Sequence, residues 1–384
     1  MKILKHLPCL LLLTALSGCI SEFNANLPAS DEDILIVEGD IVANTNSEFS
    51  LSKSFPLSVD QLPADYNNIT ATVVLTGSDG YRSEPASKVS AGKYQIAVGE
   101  LKSDVAYGIE IEYNGAKYSS VPATPLVTPS IDNLTWKQPI PKEAVAIHLS
   151  TQGDPDKFQY YMWNYIEDWE ITADYYTHCF YNPTTGQIYQ ERPNPVYYCW
   201  KKYSSQKILI ATTESQRENR ITNHPLYKID PSNDRMSVLY SVLVKQRALS
   251  KEAYNYYQNL QKQNESMGGL FTPQPSEVQG NIRCNTDPSR KVIGFVGVLK
   301  NITEKRIFIT SAEITRPFIY RTCREYDDDF FSEMQISSFA DRYSAGFAPV
   351  GMDAIEFWTQ LKCVDCQADG GSKKKPAFWP NDHQ

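Results

Sequence analysis

Long apolar runs are scarce in this chain of 384 residues. The one strongly apolar stretch, Leu7–Leu16, is too short for a helix that crosses a bilayer, which needs roughly 20 residues. Lysine and arginine form no concentrated patch, and the formal net charge is −8. Composition and charge therefore argue against a transmembrane helix and against nucleic-acid binding.

The motifs of common enzyme classes are also missing. Only five histidines occur, and none lies in a His-x-x-Glu-His frame that would hold catalytic zinc. There is no Gly-x-Ser-x-Gly nucleophile elbow, and no glycine-rich phosphate loop precedes a helix. We therefore predict a protein that is not an enzyme and that holds no cofactor and no metal ion.

The first residues carry the most specific motif of the chain. Lys2 and Lys5 precede the apolar stretch, as in a signal peptide. Leu16-Ser17-Gly18-Cys19 then matches the lipobox of bacterial lipoproteins, in which small residues precede the cut and the thiol carries diacylglycerol. We interpret residues 1–18 as a lipoprotein signal peptide and Cys19 as the lipidated N-terminus. An ordinary secretory signal is the alternative.

The residues after the lipobox indicate the final location. Residues 19–33 are polar and acidic, as expected of a tether between the lipid and a folded domain. Ile20 stands where an aspartate would favour retention in the inner membrane, and Glu22 is a weak signal for export to the surface. We predict a protein that is anchored by lipid in the outer membrane and exposed at the cell surface.

Length and turn spacing predict two β-domains and a mainly β fold. Over residues 34–122, short alternating strands are separated by turns such as Asn114-Gly115, which is typical of a small immunoglobulin-like or transthyretin-like β-sandwich. The proline-rich segment Pro122–Pro129 is the expected linker. Residues 130–384 are then expected to form a larger β-rich domain.

Two segments dominate this larger domain. Phe158–Ile171 places aromatic residues at a spacing of two, which predicts a strand with one aromatic face. Ser250 is a good N-cap for a main helix over residues 251–264, in which Tyr254 and Tyr257 lie on one stripe. We expect this helix to pack on a sheet, because its tyrosines need an apolar surface to cover.

An even number of cysteines remains after the lipobox, and an oxidising compartment favours disulfides between them. These six are Cys179, Cys199, Cys284, Cys323, Cys363 and Cys366. Of the 15 possible pairings, our working assignment is Cys179–Cys199, Cys284–Cys323 and Cys363–Cys366. A redox pair at Cys363 and Cys366, and a four-cysteine metal site, are the alternatives.

The aromatic insert Tyr175–Tyr198, which is framed by Cys179 and Cys199, is the main candidate for binding. Its prolines break regular strand pairing, so its aromatic side chains are hard to bury, and exposed aromatic residues often mark contact surfaces. We take Tyr197, Tyr198 and Trp200 as candidate binding residues. The alternative is a self-packed loop that is stapled by disulfides.

Two later segments carry weaker patterns. The acidic run Glu325–Asp329 has carboxylates of the kind that bind calcium, but it has no glycine at the turn, so we favour a solvated acidic loop. The segment Asp353–Leu361 is expected to contain a short helix.

Several segments together resemble one family of Bacteroidota lipoproteins. In order they are IVEGDI, YYMWNYIEDWEI, Cys199-Trp200, YSVLVKQRALSKEAYNYY, GGLFTPQPSEVQGNI and CVDCQADGGSKKKPAFW. Their order and spacing, from about Cys19 to Trp379, are similar to those of the family known as domain of unknown function 4249. The resemblance implies an outer-membrane lipoprotein whose gene often lies beside that of a TonB-dependent transporter. It carries over no catalytic residue.

The leading hypothesis is therefore a surface-exposed accessory protein that is the partner of a TonB-dependent transporter in nutrient uptake. The main alternative is a lipoprotein that binds its ligand directly, the ligand being a glycan, a peptide or a metal chelate. A structural or adhesion subunit of the envelope is a third hypothesis, and a hydrolase is a fourth.

Overall fold

A computed structural model describes residues 34–54, 68–157, 159–191, 196–266, 279–318, 322–351 and 357–380. The strands, in chain order, are β1 Leu35–Val42, β2 Thr45–Lys53, β3 Thr72–Gly77, β4 Ser87–Ser90, β5 Lys93–Val98, β6 Tyr107–Tyr113, β7 Ala116–Ser120, β8 Ile131–Lys137, β9 Val145–Gln152, β10 Tyr160–Thr172, β11 Phe180–Asn182, β12 Gln187–Tyr189, β13 Tyr198–Ser204, β14 Leu209–Thr212, β15 Arg220–Ile229, β16 Leu239–Leu249, β17 Ile282–Cys284, β18 Val292–Leu299, β19 Thr303–Thr310, β20 Phe347–Val350 and β21 Phe357–Gln360. The α-helices are α1 Lys251–Ser266, α2 Asp328–Glu333 and α3 Phe339–Ser344.

The predicted mainly β class is confirmed, since strands far outnumber helices. Three short 3-10 helices, at Asp234–Met236, Ser311–Glu313 and Leu361–Cys363, complete the regular structure of the described ranges. Among these ranges no helix has both the length and the apolar character to span a bilayer. The predicted signal peptide, Cys19 and the tether lie outside the described residues.

Two sheets surround one core in the N-terminal part. The first has the strand order β18-β1-β2-β5-β4, and the second has the order β17-β7-β6-β3. Side chains alternate along these strands, so apolar residues such as Phe49, Tyr94 and Ile109 point into a common hydrophobic cluster. Whether this unit is of the immunoglobulin-like or the transthyretin-like type stays a prediction.

Two strands from the second half of the chain complete these sheets. β18 runs parallel to β1, with Leu35 opposite Val292, and β17 pairs with β7. Ile282 and Val296 belong to the same core as the N-terminal strands. The predicted boundary of residues 34–122 therefore omits two strands. β1 is a central strand that needs hydrogen-bond partners on both edges, and one of those partners lies far along the chain.

The segment that was predicted as a linker is bonded to both halves. The N–H of Ala123 donates to the carbonyl of Tyr107, and the N–H of Tyr107 donates back, at 2.9 and 2.8 Å. The carbonyl of Pro129 accepts hydrogen bonds from the side chains of Gln246 and Thr303, each at 2.8 Å. Prolines remove backbone donors but keep the carbonyl acceptors, which are used here.

The second half contains a three-stranded sheet, in the order β15-β9-β8, and a five-stranded sheet. The latter has the order β13-β10-β16-β19, and β14 also pairs with β10. Tyr161, Trp163, Tyr165 and Trp169 of β10 are buried in one cluster with side chains of the three-stranded sheet. The indole of Trp163 donates to Gln246 at 2.8 Å, so its polar atom is satisfied. The predicted aromatic face is confirmed.

Helix α1 covers part of the opposite face of β10. The Oγ of Ser250 accepts a hydrogen bond from the N–H of Ala253 at 3.1 Å, which is the predicted N-cap. Ala253 is buried with Met162 of β10, and Tyr254 and Tyr257 pack against this cluster while keeping part of their surface exposed. The predicted packing of the helix on a sheet is confirmed.

An ion pair joins the two halves of the chain beside this helix. The guanidinium of Arg247, on β16, donates to the carboxylate of Asp40, on β1. The second oxygen of Asp40 accepts from the N–H of Gly297 at 3.2 Å. The two side chains are 19% and 11% exposed, so water solvates this pair poorly. The ring of Tyr257 lies 5.6 Å from the guanidinium and adds a cation–π contact.

The C-terminal part differs from the sequence prediction in two places. Phe357–Gln360 is a strand paired with β20, where a short helix was predicted; residues 352–356 lie outside the described ranges. Trp358 is fully buried in an aromatic cluster with Tyr181 and Phe331, and the neighbouring Phe357 is exposed. The acidic run begins helix α2, because the carboxylate of Asp327 accepts the N–H of Phe330 at 3.0 Å. The favoured solvated loop is therefore a helix start.

We predict that Asp40→Ala lowers the free energy of unfolding by about 2–4 kcal/mol, because it leaves the charge of Arg247 poorly solvated and unpaired. The double variant Asp40→Ala with Arg247→Met should recover part of this loss, since the stranded charge is gone. Urea denaturation followed by circular dichroism measures each variant.

Glu48→Ala is the matched control for this experiment. It breaks the exposed pair between Lys93 and Glu48 in the same sheet, and it should cost less than about 1 kcal/mol. Equal losses in Asp40→Ala and Glu48→Ala would contradict the structural role that we give to the buried pair.

Candidate partner-contact surface

Two disulfides fix the end of the chain. Cys199 is bonded to Cys366, and Cys323 is bonded to Cys363. The Cys363-x-x-Cys366 motif therefore does not close on itself, and the three predicted pairings are wrong. Cys363 is the last residue of a 3-10 turn and bonds to Cys323, whereas Cys366, three residues later, bonds to Cys199 on β13.

The other two cysteines are buried and take part in neither of these bonds. β17 carries Cys284 into the core of the N-terminal sheets, which separates it from its predicted partner Cys323. Cys179 lies just before β11, whereas Cys199 points into the core of the second half, where it meets Cys366.

The bond between Cys199 and Cys366 holds the end of the chain, residues 361–380, which we call the C-terminal strap. Its Ser372 exchanges two backbone hydrogen bonds with Trp200, at 2.8 and 2.9 Å, and so extends the sheet beyond β13. Further along, the buried indole of Trp379 donates to the carboxylate of Glu170 at 3.1 Å. The strap thus covers the part of β10 that lies beyond helix α1.

The three candidate binding residues are all half-buried. Tyr197 lies just before β13, and Tyr198 and Trp200 lie on it. The main chain of Trp200 is hydrogen-bonded to the strap. This tryptophan therefore belongs to a paired sheet edge and not to an open loop. Tyr197 and Tyr198, in contrast, belong to a group of aromatic rings at the surface.

We call this group the surface tyrosine cluster; its members are Tyr176, His178, Tyr197 and Tyr198. The rings of Tyr176 and Tyr197 lie 5.3 Å apart at 75°, and those of Tyr197 and Tyr198 lie 4.8 Å apart at 86°. These are edge-to-face arrangements, which aromatic pairs favour. Tyr176 is 52% exposed. Sequence reasoning placed Tyr176 and His178 within the candidate insert Tyr175–Tyr198 but did not name either as a binding residue.

The backbone beneath the cluster is held from two directions. The N–H of Ala173 donates to the carbonyl of Tyr197 at 2.9 Å, and the N–H of Tyr175 donates to the carbonyl of Cys363 at 2.8 Å. Cys363 is itself fixed by its disulfide. Burial raises the pKa of Tyr198, so its phenol stays neutral and can both donate and accept hydrogen bonds. Rigid, partly exposed tyrosines of this kind suit protein contacts, because little side-chain entropy is lost on binding.

One group of side chains near the cluster has the spacing of a metal site. The carboxylate of Asp174 lies within ligand distance of the sulfurs of Cys323 and Cys363. Both sulfurs are in a disulfide, however, and offer no thiolate. The group therefore does not fit a metal ion while the disulfide is intact.

Beneath the surface, a buried carboxylate is surrounded by tyrosines. The hydroxyl of Tyr240 donates to Glu167 at 2.7 Å and lies 2.7 Å from the hydroxyl of Tyr227. The guanidinium of Arg235 lies 3.7 Å from the same carboxylate. Burial raises the pKa of Glu167 above its ordinary value, and the hydrogen bond from Tyr240 and the charge of Arg235 oppose that shift only in part. This hydrogen-bond network lies within the hydrophobic core of the second half.

The fold and the surface define a class: a mainly β protein in which two joined β-units carry a disulfide-fixed strap and a surface tyrosine cluster. Residues 20–305 match the family model described as Domain of unknown function (DUF4249). The chain belongs to this family, which confirms the resemblance seen in the sequence over residues 20–305. The match ends before the strap and before Cys323. No curated protein matches the chain.

We predict that the free energy of unfolding of the wild-type protein falls as the pH rises from 4.5, the ordinary value for Glu167, to its raised folded-state pKa. In this window the folded state binds the proton more tightly than the unfolded state does. Glu167→Gln should remove this component of the pH dependence while its amide oxygen still accepts from Tyr240. Urea titrations between pH 4 and pH 7 measure it, and identical slopes for the two proteins would rule the explanation out.

We predict that digestion under non-reducing conditions, followed by mass spectrometry, links Cys199 to Cys366 and Cys323 to Cys363. Cys284 should react with iodoacetamide only after unfolding, because it is buried. A peptide in which Cys363 is linked to Cys366 would refute the assignment.

Removal of the disulfides should also affect stability unequally. They span sequence separations of 167 and 40 residues. In the chain-entropy account this corresponds to about 5 and about 4 kcal/mol. The paired serine variant at Cys199 and Cys366 should therefore unfold more easily than the one at Cys323 and Cys363.

Proposed function

We propose that this protein is a lipid-anchored accessory protein of the outer membrane, exposed at the cell surface, and that it assists a TonB-dependent transporter in nutrient uptake. The observation that carries the proposal is the lipobox that ends at Cys19. A lipid anchor brings the folded part to the membrane in which such transporters lie, and it raises the local concentration of the two partners.

The length of the tether is compatible with this partnership. Residues 19–33 reach at most about 50 Å when fully extended, at roughly 3.3–3.6 Å for each residue. The folded part therefore stays within one domain diameter or so of the membrane surface, where the rim of an outer-membrane transporter is accessible.

The surface tyrosine cluster is the proposed contact with the transporter. It combines exposed aromatic area at Tyr176 with a backbone that is fixed by the nearby disulfides. Tyrosine is enriched at the centres of protein interfaces, because it supplies a large contact area and a hydrogen-bonding hydroxyl.

The proposal is tested by isolating the full-length lipoprotein from membranes in a mild detergent after chemical cross-linking. We expect a β-barrel transporter to be recovered with the wild-type protein. Cys19→Ser should abolish incorporation of labelled palmitate and reduce recovery of the transporter, because the anchor is lost.

Tyr176→Ala combined with Tyr197→Ala should keep the lipid and lower recovery of the transporter about tenfold or more, as expected when interface anchors are removed. Tyr81→Ala is the matched control, since Tyr81 is an exposed tyrosine on the N-terminal unit, and it should have no effect. Recovery of the acylated wild-type protein without any β-barrel protein would count against the proposed function.

A further inference from the structure

A cavity of about 470 Å³ lies where the two halves of the chain meet. Its walls come from the proline-rich connection at residues 121–126, from the first turn of helix α1 and from β18. Cavities that hold small ligands commonly measure about 300–1,000 Å³ and often lie between domains. The size and the place of this cavity therefore suit a small molecule.

Most of the wall is apolar. The side chains concerned are Val121, Leu126, Leu249 and Phe295. A second cavity, of about 630 Å³, lies beside the first and shares the walls formed by Tyr257 and Phe295, but its lining is more polar. A ligand that fills the first cavity must bring apolar groups, because apolar walls favour apolar surface that leaves water.

Three charged residues line the first cavity, and one of them is already neutralised. Asp40 is held by Arg247 and by the N–H of Gly297, so its charge is satisfied within the protein. Glu252 and Arg283 are exposed at the cavity, and within the described ranges neither has an ion-pair partner. They also do not pair with each other, although their charges are opposite. The cavity thus offers a carboxylate and a guanidinium at separate points of its lining.

We propose that this cavity binds a small zwitterion with apolar side chains, namely an amino acid or a short peptide with free termini. The carboxylate of the ligand binds the guanidinium of Arg283, and its ammonium group binds the carboxylate of Glu252. The apolar side chains pack against Leu249 and Phe295. An anionic amphiphile fits less well, because Glu252 would repel its head group.

This inference goes beyond the proposed function, since it concerns a site within the chain itself and requires no transporter. The test therefore uses the full-length lipoprotein alone, reconstituted in phospholipid nanodiscs so that detergent cannot enter the cavity. Failure of this test leaves the transporter partnership standing, and failure of the pull-down leaves the cavity site standing.

The experiment is isothermal titration calorimetry with three probes. Leucyl-phenylalanine is the zwitterion, N-acetyl-leucyl-phenylalanine amide is its uncharged analogue, and octanoate is an apolar anion. We expect the zwitterion to bind, and to bind at least about threefold more tightly than either of the other probes.

The variants Glu252→Gln and Arg283→Gln should each weaken binding of the zwitterion by about three- to tenfold, which is the loss of one charged contact at an exposed position. Both residues are exposed, so the fold should persist, and thermal unfolding checks this. Arg220→Gln is the control, because Arg220 is an exposed arginine on β15 that does not line the cavity; it should leave the affinity unchanged.

Two results would overturn the inference. One is equal affinity for the zwitterion and its uncharged analogue, which would mean that Glu252 and Arg283 do not bind the charged termini of the ligand. The other is an absence of heat with all three probes while the protein is folded. Tighter binding of octanoate, insensitive to Glu252→Gln, would assign the cavity to anionic amphiphiles instead.

Discussion

The buried ion pair between Asp40 and Arg247 is the constraint on which the arrangement of the two halves depends. Breaking such a pair costs far more than its formation contributes relative to well-packed apolar residues, so its main effect is to fix geometry. Here it fixes β16 against β1, and Gly297 brings β18 to the same carboxylate. A side chain at Gly297 would meet that carboxylate at 2.5 Å, which explains the glycine. The proline-rich connection and helix α1 then close around the pair and leave cavities on either side of Tyr257.

The other end of the second half is held by covalent bonds. Two disulfides and the buried Trp379 hold the C-terminal strap against the part of β10 that helix α1 does not cover. A small apolar surface is therefore covered without a second long helix. The tyrosine cluster lies at the margin of this sealed region, where backbone rigidity comes from the bonds beneath it. The family model does not extend to the strap.

Local patterns predicted local structure well. The aromatic spacing of β10, the Ser250 cap of helix α1 and most strands of the N-terminal sheets followed from periodicity and turn residues, because these signals act over a few residues. The strand at residues 45–53, TNSEFSLSK, carries mainly polar residues on its outer face, and sequence reasoning missed it. The pairing of β1 with β18 and both disulfides join residues that are far apart, and no short pattern encodes such partners. Sequence reasoning named only Tyr197 and Tyr198 of the tyrosine cluster. Tyr176 becomes a neighbour of Tyr197 only when the chain between them folds back.

The parallel pairing of β1 with β18 has a consequence for biogenesis. Asp40 and Gly297 are 257 residues apart, so the edge of β1 closes only after a contact of very long sequence separation has formed, which is a slow step in folding. Until then an apolar strand has one unsatisfied edge, the kind of template on which misassembled sheets grow. Completion of the N-terminal unit is thus a late event in folding, because it depends on a strand from the second half of the chain.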